Sequence, residues 1–592
     1  MAQGRDGPSV GRRELLRAGG AAALGVGAAT LGEPEAAVAD SGPASAISPE
    51  PARARDVQFD AEYDVVVAGA GCGGFVSALV SRWLGNSVVI LEKAAAPGGT
   101  TQKAAFWYWI PNNEPMRAMG LTDPKPDFLR YVARLSQPQR YDPNDPRFGL
   151  TEWEYAMCEA IYDSASPAVE LLREKGALVY RHVAAVPDYF VELPEDKAPK
   201  GRVLVPKDAS PSMSDGGAAA IASMLRAAER DGVEIRTRSR VQRVVLNGSS
   251  EVIGVEATTP KGSVFVRARK AVIFATGGYT HSPELRKNFL NIPIYGGCAA
   301  LSNEGDFVRI SSTLGVQLRN MNYAWCCPVS LEKAVRRDPA LIGMFSVAGD
   351  SMIFANKHGR RCVNEKLNYN ELAQQFFIWD GAKVEYPNLV LISIWDQRSQ
   401  DHSASTEYGR LIVPPGSDDR HVIKGANLEE LASNISDRLK QYAHVTGGLT
   451  LSPDFVPNLE ASIERFNGFA KEGKDLDFHR GDRVVEVLFN GDVKEEPGRK
   501  NVTMWPIDEH GPYYAALVTG GTLDTKGGPK TNPDGQVLDN DNKPIAGLYG
   551  VGNCVASASG RAYWSGGATL GPIIAFAYRA ANRANTEPVK TV

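Results

Sequence analysis

Residues 62–101 read EYDVVVAGAGCGGFVSALVSRWLGNSVVILEKAAAPGGTT, and this stretch decides the fold. A β-branched run at 65–67 leads into GAGCGG, residues 69–74, which satisfies the pattern GxGxxG. A helix-forming run follows, and a second apolar strand ends at Glu92. A glycine turn between a strand and a helix, with an acidic residue about twenty positions further on, is typical of dinucleotide-binding units. The sequence therefore predicts an α/β protein with a Rossmann-type domain.

The three glycines of the GxGxxG pattern each have a predicted role. Gly69 permits the tight turn, Gly71 lets the backbone approach a pyrophosphate, and Gly74 allows the helix to pack closely. The start of the helix offers amides and the positive end of its dipole to the phosphates. Glu92 is placed to hold ribose hydroxyls, with Lys93 beside it. The alternative, a glycine turn that binds no ligand, does not account for the strand, helix and acidic residue together.

Three separate glycine turns favour FAD over NAD as the ligand. The PGGTT turn (97–101) follows the second strand directly, in the place where flavoproteins hold their flavin. Two later apolar strands end in ATGG (275–278) and in GVGN (550–553), and an alternating segment, 233–245, could flank an adenine. One long ligand such as FAD would join these turns. The predicted contacts are Gly69, Gly71, Gly74, Glu92, Lys93, Gly99, Thr100, Thr101, Val241, Thr276, Gly277, Gly278, Gly552 and Asn553, with Thr569 and Leu570 at the start of a C-terminal helix.

The glycine turns also predict the domain organisation. Residues 60–298 and 499–592 form the two parts of the FAD-binding domain, and the less glycine-patterned residues 299–498 form an inserted α+β substrate domain. Ligand sites favour such interfaces between domains.

The N-terminus has the three parts of an export signal in order. Arg12 and Arg13 precede the weakly apolar GGAAALGVGAATL, and Ala37-Val38-Ala39 offers a cleavage site. This pattern predicts a twin-arginine signal over residues 1–39, a linker over 40–59 and a periplasmic or other extracytoplasmic location. The alternative is an Ala/Gly-rich tail with a chance arginine pair. The apolar run is too short to span a bilayer, and no later segment reaches that length, so no integral membrane segment is expected after signal removal.

Composition narrows the range of partners. The net charge is only -4 over 592 residues, with both signs spread along the chain, so nucleic acid is not an expected partner. The seven cysteines form no metal-ligand spacing with histidine.

Beyond residue 60, the chain resembles the fumarate reductase/3-ketosteroid Δ1-dehydrogenase superfamily of flavoproteins, and more closely its ketosteroid branch. The resemblance rests on the order of many short pieces, each weak alone. They are GAGCGG, PGGTT, WIPNN (109–113), VPDYFVELP (186–194), ATGGY, AWCCP (324–328), GRRCVNEKLNY (359–369), ERFNGFAKEGKDLDFHRG (464–481), GPYYA (511–515), DTKGG (524–528) and GRAYWSGGATLG (560–571).

The resemblance implies desaturation of the carbon–carbon bond next to a ketone, as in 3-oxosteroids. Tyr563 and the backbone amide of Gly567 would hold the keto oxygen as a neutral oxyanion hole, and glycine at 567 would leave the substrate face open. Tyr369 would take the proton, helped by Tyr189, while the flavin takes a hydride. Tyr323 and Tyr386 are alternatives for the base. Electrons would leave to a quinone or another external acceptor.

Departures from the family pattern leave a second function open. Fumarate reductases carry a histidine and an NRLGGN segment where this chain has SGRAYWSGG (559–567), and Arg561 alone is a poor clamp for a dicarboxylate. Trp564 replaces the usual proline, and Asp524 stands where relatives usually have glycine. The first departure disfavours a dicarboxylate substrate. The others leave room for a ketone that is not a standard steroid, or for an exported flavin-dependent reductase of an activated alkene. A flavin-bearing carrier without turnover is a third alternative.

Overall fold

The fold is described from a computed structural model. It describes residues 50–210, 215–344, 347, 349–405, 418–489 and 496–592. The predicted export signal, 1–39, and residues 40–49 of the predicted linker lie outside the described residues, so the signal stays a prediction.

A nine-stranded sheet forms the first layer of the fold, and its centre is parallel. Its strands are Ala52–Arg53, Ala61–Ala68, Val88–Leu91, Glu234–Arg236, Arg240–Leu246, Val252–Thr259, Gly262–Phe274, Gln536–Leu538 and Pro544–Gly550. Val272 pairs with Val66 on one side and with Leu548 on the other, both in parallel register. Val65 and Val67 are fully buried, as expected for a strand with both faces covered.

Three helices cover one face of this sheet. Cys72–Trp83 and Leu570–Asn585 pack side by side, and Gly216–Asp231 lies against the first of them. Their alanines and valines share one buried cluster with the strands beneath. The two ends of the chain therefore belong to a single α/β layer, and the predicted Rossmann-type α/β fold is confirmed.

A second, antiparallel sheet lies beyond the first. Its strands are Ala324–Ser330, Met352–Ala355, Val390–Asp396, Ile423–Gly425 and Tyr513–Thr525. Helices Leu428–Gln441 and Phe455–Glu472 cover it through a buried apolar cluster. The strand Tyr513–Thr525, which follows the predicted boundary at 498, pairs with three others of this sheet. The predicted domain boundaries stay a prediction.

The remaining elements are short strands and connecting helices. The strands are Tyr108–Trp109, Tyr180–His182, Val203–Pro206, Leu318–Arg319 and Gly528–Pro529; the helices are Gly99–Gln102, Glu114–Ala118, Lys125–Ser136, Glu152–Glu174, Pro283–Phe289, Asp306–Ser311, Leu331–Val335, Tyr369–Ala373, Gln397–Ser405, Ala443–Thr446 and Val484–Phe489; the 3-10 turns are Ala54–Asp56, Ser312–Leu314, Gln374–Phe377 and Gly552–Cys554. Over the described part of the chain, no helix combines the length and apolarity that a membrane crossing needs.

The first glycine turn packs without room for a side chain. A Cβ on Gly74 would lie 1.9 Å from the carbonyl oxygen of Gly69, and one on Gly69 would lie 2.5 Å from the carbonyl oxygen of Ala275. Gly69 also has a φ of +102°, which L-residues with a side chain rarely adopt. The helix that begins at Cys72 is therefore held against the strand end by backbone contact.

We expect Gly74→Ala to lower the free energy of unfolding by at least about 2 kcal/mol, because the new methyl group must displace backbone. The measurement is the urea midpoint of the purified protein. Gly248→Ala is the control: a Cβ at Gly248 meets nothing within 4 Å, so its effect should stay within about 0.5 kcal/mol. Equal midpoints for the two variants would contradict the close packing.

Candidate active site

Two adjoining cavities lie where the two sheets meet. The first is a groove at the carboxyl ends of the parallel strands, where Ala68, Leu91, Ala275 and Val551 line it. Such an edge is where open parallel sheets bind nucleotides. The second is an apolar cavity of about 190 Å³. The residues that line both are Thr100, Thr101, Asp524, Asn553 and Ile573.

Most predicted FAD contacts line the groove. These are Gly69, Gly71, Glu92, Lys93, Gly99, Thr100, Thr101, Val241, Thr276, Gly277, Gly552 and Asn553. Thr569 and Leu570 line the apolar cavity instead. Gly74 and Gly278 line neither cavity. A Cβ on either would meet neighbouring protein atoms, and on Gly278 it would lie 2.1 Å from the Thr525 hydroxyl. These two glycines therefore allow close packing of the protein behind the groove.

The residues of the groove fit an FAD molecule. Gly71 is the N-cap of helix Cys72–Trp83 and brings no side chain to cap it, so the helix start faces the groove. The buried carboxylate of Glu92 accepts the backbone N–H groups of Ala70 at 2.8 Å and Ala94 at 2.7 Å. These bonds fix an acceptor at the end of the second strand, where a ribose hydroxyl can reach it.

Lys93 lines the groove but is already paired with acidic side chains. Its ammonium contacts Asp306 at 3.0 Å and Glu304 at 3.1 Å. Arg240 also binds Asp306, at 2.8 Å. Lys93 thus ties the second strand to helix Asp306–Ser311, a long-range role that the sequence did not indicate.

The apolar cavity brings together the three predicted tyrosines from distant parts of the chain. The hydroxyls of Tyr189 and Tyr369 share a hydrogen bond of 2.8 Å. The ring of Tyr563 lies 5.0 Å from that of Tyr369 and 5.9 Å from that of Tyr189. Gly567 lines the same cavity, whereas the alternative bases Tyr323 and Tyr386 line neither cavity. The geometry therefore favours Tyr369 over its two competitors as a residue that meets substrate.

Burial keeps all three phenols protonated. Desolvation raises the pKa of Tyr563, and it raises those of Tyr189 and Tyr369 well above the usual value. Tyr563 raises the pKa of Tyr189 further, whereas the hydrogen bond with Tyr369 lowers it; Tyr189 and Tyr563 both raise the pKa of Tyr369. A hydrogen bond from the Thr569 hydroxyl, at 3.4 Å, acts in the opposite direction on Tyr563. At neutral pH, Tyr563 is thus a hydroxyl donor.

Gly567 is required by a backbone contact rather than by open access for substrate. A Cβ there would lie 2.6 Å from the carbonyl carbon of Trp107 and 2.7 Å from the nitrogen of Tyr108, and φ is +89°. The carbonyl of Gly567 also accepts the N–H of Trp109 at 3.1 Å. The expected reason for this glycine, an unblocked substrate face, is therefore replaced by tight packing against residues 107–109.

Trp564, which stands where the family usually has proline, packs against helix Lys125–Ser136. Its indole N–H donates to the Ser136 hydroxyl at 2.9 Å, and its carbonyl accepts the hydroxyl of Tyr131 at 2.7 Å. The side chain is buried and lines neither cavity. Trp564 thus anchors the segment that carries Tyr563 to helix Lys125–Ser136.

Asp524 stands between the two cavities, and its role exceeds what the sequence indicated. One carboxylate oxygen accepts the side-chain amides of Asn303 and Asn553, both at 3.0 Å. Asn553 accepts the indole N–H of Trp325 at 3.1 Å, and the Trp325 ring lies 5.0 Å from that of Tyr563. Burial raises the pKa of Asp524. A chain of contacts therefore runs from the shared wall to Tyr563.

Lys526 contacts both the Trp325 ring and the loop that precedes Tyr563. Its buried ammonium donates to the carbonyls of Gly560 at 3.0 Å and Ala562 at 2.5 Å, and lies 3.8 Å from the centre of the Trp325 ring. Desolvation lowers the pKa of Lys526 to about 7. The strand end 524–526 thus positions both Trp325 and the loop before Tyr563.

Comparisons with known proteins agree with this architecture. The FAD binding domain family matches residues 64–570. The 4-oxocyclohexanecarboxylate 2-dehydrogenase of Sinomonas cyclohexanicum is 30% identical over 88% of this chain and 92% of its own length. The 3-oxosteroid 1-dehydrogenase of Mycobacterium tuberculosis (strain H37Rv) is 28% identical over 88% and 98%.

A solved structure matches as well. The 3-ketosteroid Δ1-dehydrogenase of Sterolibacterium denitrificans, in complex with 1,4-androstadiene-3,17-dione, is 25% identical, with a TM-score of 0.74 over 88% of this chain and 99% of its own. Together these matches confirm the predicted family resemblance and FAD as the cofactor. They also confirm the enzyme class, an FAD-dependent oxidoreductase that acts on a CH–CH group.

The depressed pKa of Lys526 predicts how stability changes with pH. Its pKa is about 7 in the folded protein and 10.5 when unperturbed, so the unfolded chain binds the extra proton between these values. The contribution of Lys526 to the free energy of unfolding should therefore rise by about 2 kcal/mol from pH 7 to pH 9. Lys526→Met should remove this rise, as measured by urea unfolding at each pH.

The exposed lysine Lys207 provides the matched control. Lys207→Met should keep the pH dependence of the wild type. If Lys526→Met keeps the same rise as well, the buried ammonium is not its source.

Proposed function

Because the chain belongs to the family defined by this FAD-binding domain, we propose that it desaturates the carbon–carbon bond beside the ketone of an alicyclic substrate. The observation that supports the proposal is the apolar cavity that joins the FAD groove and gathers Tyr189, Tyr369, Tyr563 and Gly567. FAD, when bound in the groove, supplies the acceptor for the hydride. The relatives named above act on a 4-oxocyclohexane ring and on 3-oxosteroids, and we infer a cyclic ketone of this kind for this chain.

In this proposal Tyr563 holds the keto oxygen. Its hydroxyl is protonated because burial raises the pKa, so it donates a hydrogen bond as the oxygen gains negative charge. The amide of Gly567, four residues on, is the second donor. Two donors fixed in advance in a water-poor site lower the barrier to enolisation, and each is worth about 10²–10³-fold in rate.

Tyr369 is the proposed base for the carbon next to the ketone. The Tyr189 hydroxyl donates to the Tyr369 hydroxyl at 2.8 Å, and in the proposal this donor stays in place when Tyr369 is ionised, although Tyr189 and Tyr563 together raise the pKa of Tyr369. Burial opposes ionisation, so the base also needs a positive field. Helix Leu570–Asn585 begins at the cavity wall without a side-chain cap, and its N-terminus supplies such a field.

The electron acceptor and the location are part of the proposal. The sequence contains one dinucleotide fingerprint, which supports a quinone or another external acceptor rather than NAD. The order of basic, apolar and small residues in 1–39 supports export by the twin-arginine route.

Reduction of a dicarboxylate is less well supported. Lys103 is the one cationic side chain among the described residues that line the apolar cavity, and Arg561 is not among them. A dicarboxylate needs a cationic partner for each end.

The test is a dye-coupled assay of the holoenzyme with 4-androstene-3,17-dione and a series of substituted cyclohexanones, with product identification. We expect dye reduction and an α,β-desaturated product for at least one ketone. Tyr563→Phe should lower kcat/KM by about 10²–10³-fold with FAD content unchanged, because it removes one oxyanion donor.

Tyr295→Phe is the control for this substitution. Its hydroxyl donates to the Val445 carbonyl at 2.9 Å but lies outside both cavities. It should retain wild-type turnover. Absence of dye reduction with every ketone, together with oxidation of a reduced dye by enones, would replace the proposal by alkene reduction. Ligand binding without turnover in either direction would indicate a carrier.

A further inference from the structure

We propose that the ketone substrate carries a carboxylate and that Lys103 binds it. This inference rests on the proposed function and narrows its substrate class. Lys103 follows the short helix Gly99–Gln102 directly and lines the apolar cavity that also contains Tyr563. One cavity therefore offers a hydroxyl for a keto oxygen and an ammonium for an anion.

The ammonium of Lys103 has weak compensation within the protein. Its Nζ donates to the Leu341 carbonyl at 3.3 Å, near the upper limit for a hydrogen bond. Within the described residues no carboxylate comes within ion-pair distance of it. Desolvation lowers its pKa, and electrostatic interactions with Cys298 and Asp338 act in the opposite direction. A partly desolvated cation without a close counter-charge is unfavourable until a ligand supplies one.

Other buried cations near the site do not share this property. Lys93 contacts two carboxylates, and Lys526 has two carbonyls and the Trp325 ring. Asp524, the acidic residue of the cavity wall, is held by amide donors and forms no hydrogen bond or ion pair with Lys103. Of these three lysines, Lys103 is therefore the one whose charge a ligand can neutralise.

The rest of the cavity wall is mostly apolar, so it favours a hydrocarbon ring and disfavours a second charged group on the ligand. Phe106, Trp107, Ile342 and Leu523 contribute to a surface that is mostly apolar. A wholly neutral ligand would bury the Lys103 ammonium without supplying a counter-charge. A ring with a ketone at one end and a carboxylate at the other satisfies both polar groups and leaves its carbons against apolar side chains.

The kinetic test compares 4-oxocyclohexanecarboxylate with its neutral methyl ester in the dye-coupled assay. For the wild type we expect kcat/KM to be about 10–10²-fold higher for the carboxylate, the size of one charge-assisted hydrogen bond. Lys103→Met should abolish this preference, chiefly by raising KM for the carboxylate. Lys103→Arg should keep most of the preference.

A binding test separates this inference from the proposed function. Cyclohexanecarboxylate and cyclohexanecarboxamide have no ketone, so their Kd values for the holoenzyme can be measured from the flavin absorbance without turnover. Tighter binding of the carboxylate that Lys103→Met removes would support the role of Lys103 even if no ketone is oxidised. Equal Kd values for the two ligands, or an equal loss with both in Lys103→Met, would overturn it. Lys103→Gln repeats the comparison if the methionine variant fails to retain FAD.

Discussion

A close backbone contact near the C-terminus determines where the active-site groups can lie. A Cβ on Gly571 would be 2.0 Å from the Trp109 carbonyl oxygen, and one on Gly567 would be 2.6 Å from the Trp107 carbonyl carbon. The end of the chain therefore lies directly on the strand that follows the PGGTT turn. Because that turn lines the FAD groove, this contact places Tyr563 in a cavity that shares its wall with the groove. A larger residue at either glycine would move the phenol away from the cofactor.

Two charged residues, Asp524 and Lys526, position Tyr563 through separate sets of contacts. Asp524 fixes Asn553, which holds the indole of Trp325 against the tyrosine ring, and Lys526 holds the carbonyls just before it. Both charged residues come from the end of the strand Tyr513–Thr525 or directly after it. A strand of the second sheet thus orients a residue in the segment that leads into helix Leu570–Asn585. The two layers of the fold are coupled at the position where substrate and cofactor meet.

The parts of the site that sequence could predict are those with a local pattern. The turn at 69–74, the PGGTT turn and the ATGG turn each follow a recognisable strand, and most of the contacts predicted from them line the groove, although Gly74 and Gly278 do not. Their contact with FAD stays a prediction. The shared cavity of the three tyrosines could be expected from the resemblance to a family. The functions of Asp524 and Lys526 could not, because they arise from burial and from partners far away in the chain. The same holds for Gly567, whose local sequence shows a glycine but not the backbone of Trp107 that requires it.

The charged residues of the two cavities are compensated in different ways, which explains how one cavity can bind the cofactor and the other the substrate. In the groove, backbone amides neutralise Glu92, and carboxylates neutralise Lys93, so a cofactor meets fixed dipoles and no uncompensated charge. At the shared wall, amide donors surround Asp524. Burial raises the pKa values of the tyrosines and keeps them neutral, which suits a ketone, since a neutral donor strengthens its bond only as the oxygen becomes an anion. Placing the cavity's ammonium on Lys103, in a segment separate from Tyr563, allows charge to select the substrate while neutral groups assist the chemistry.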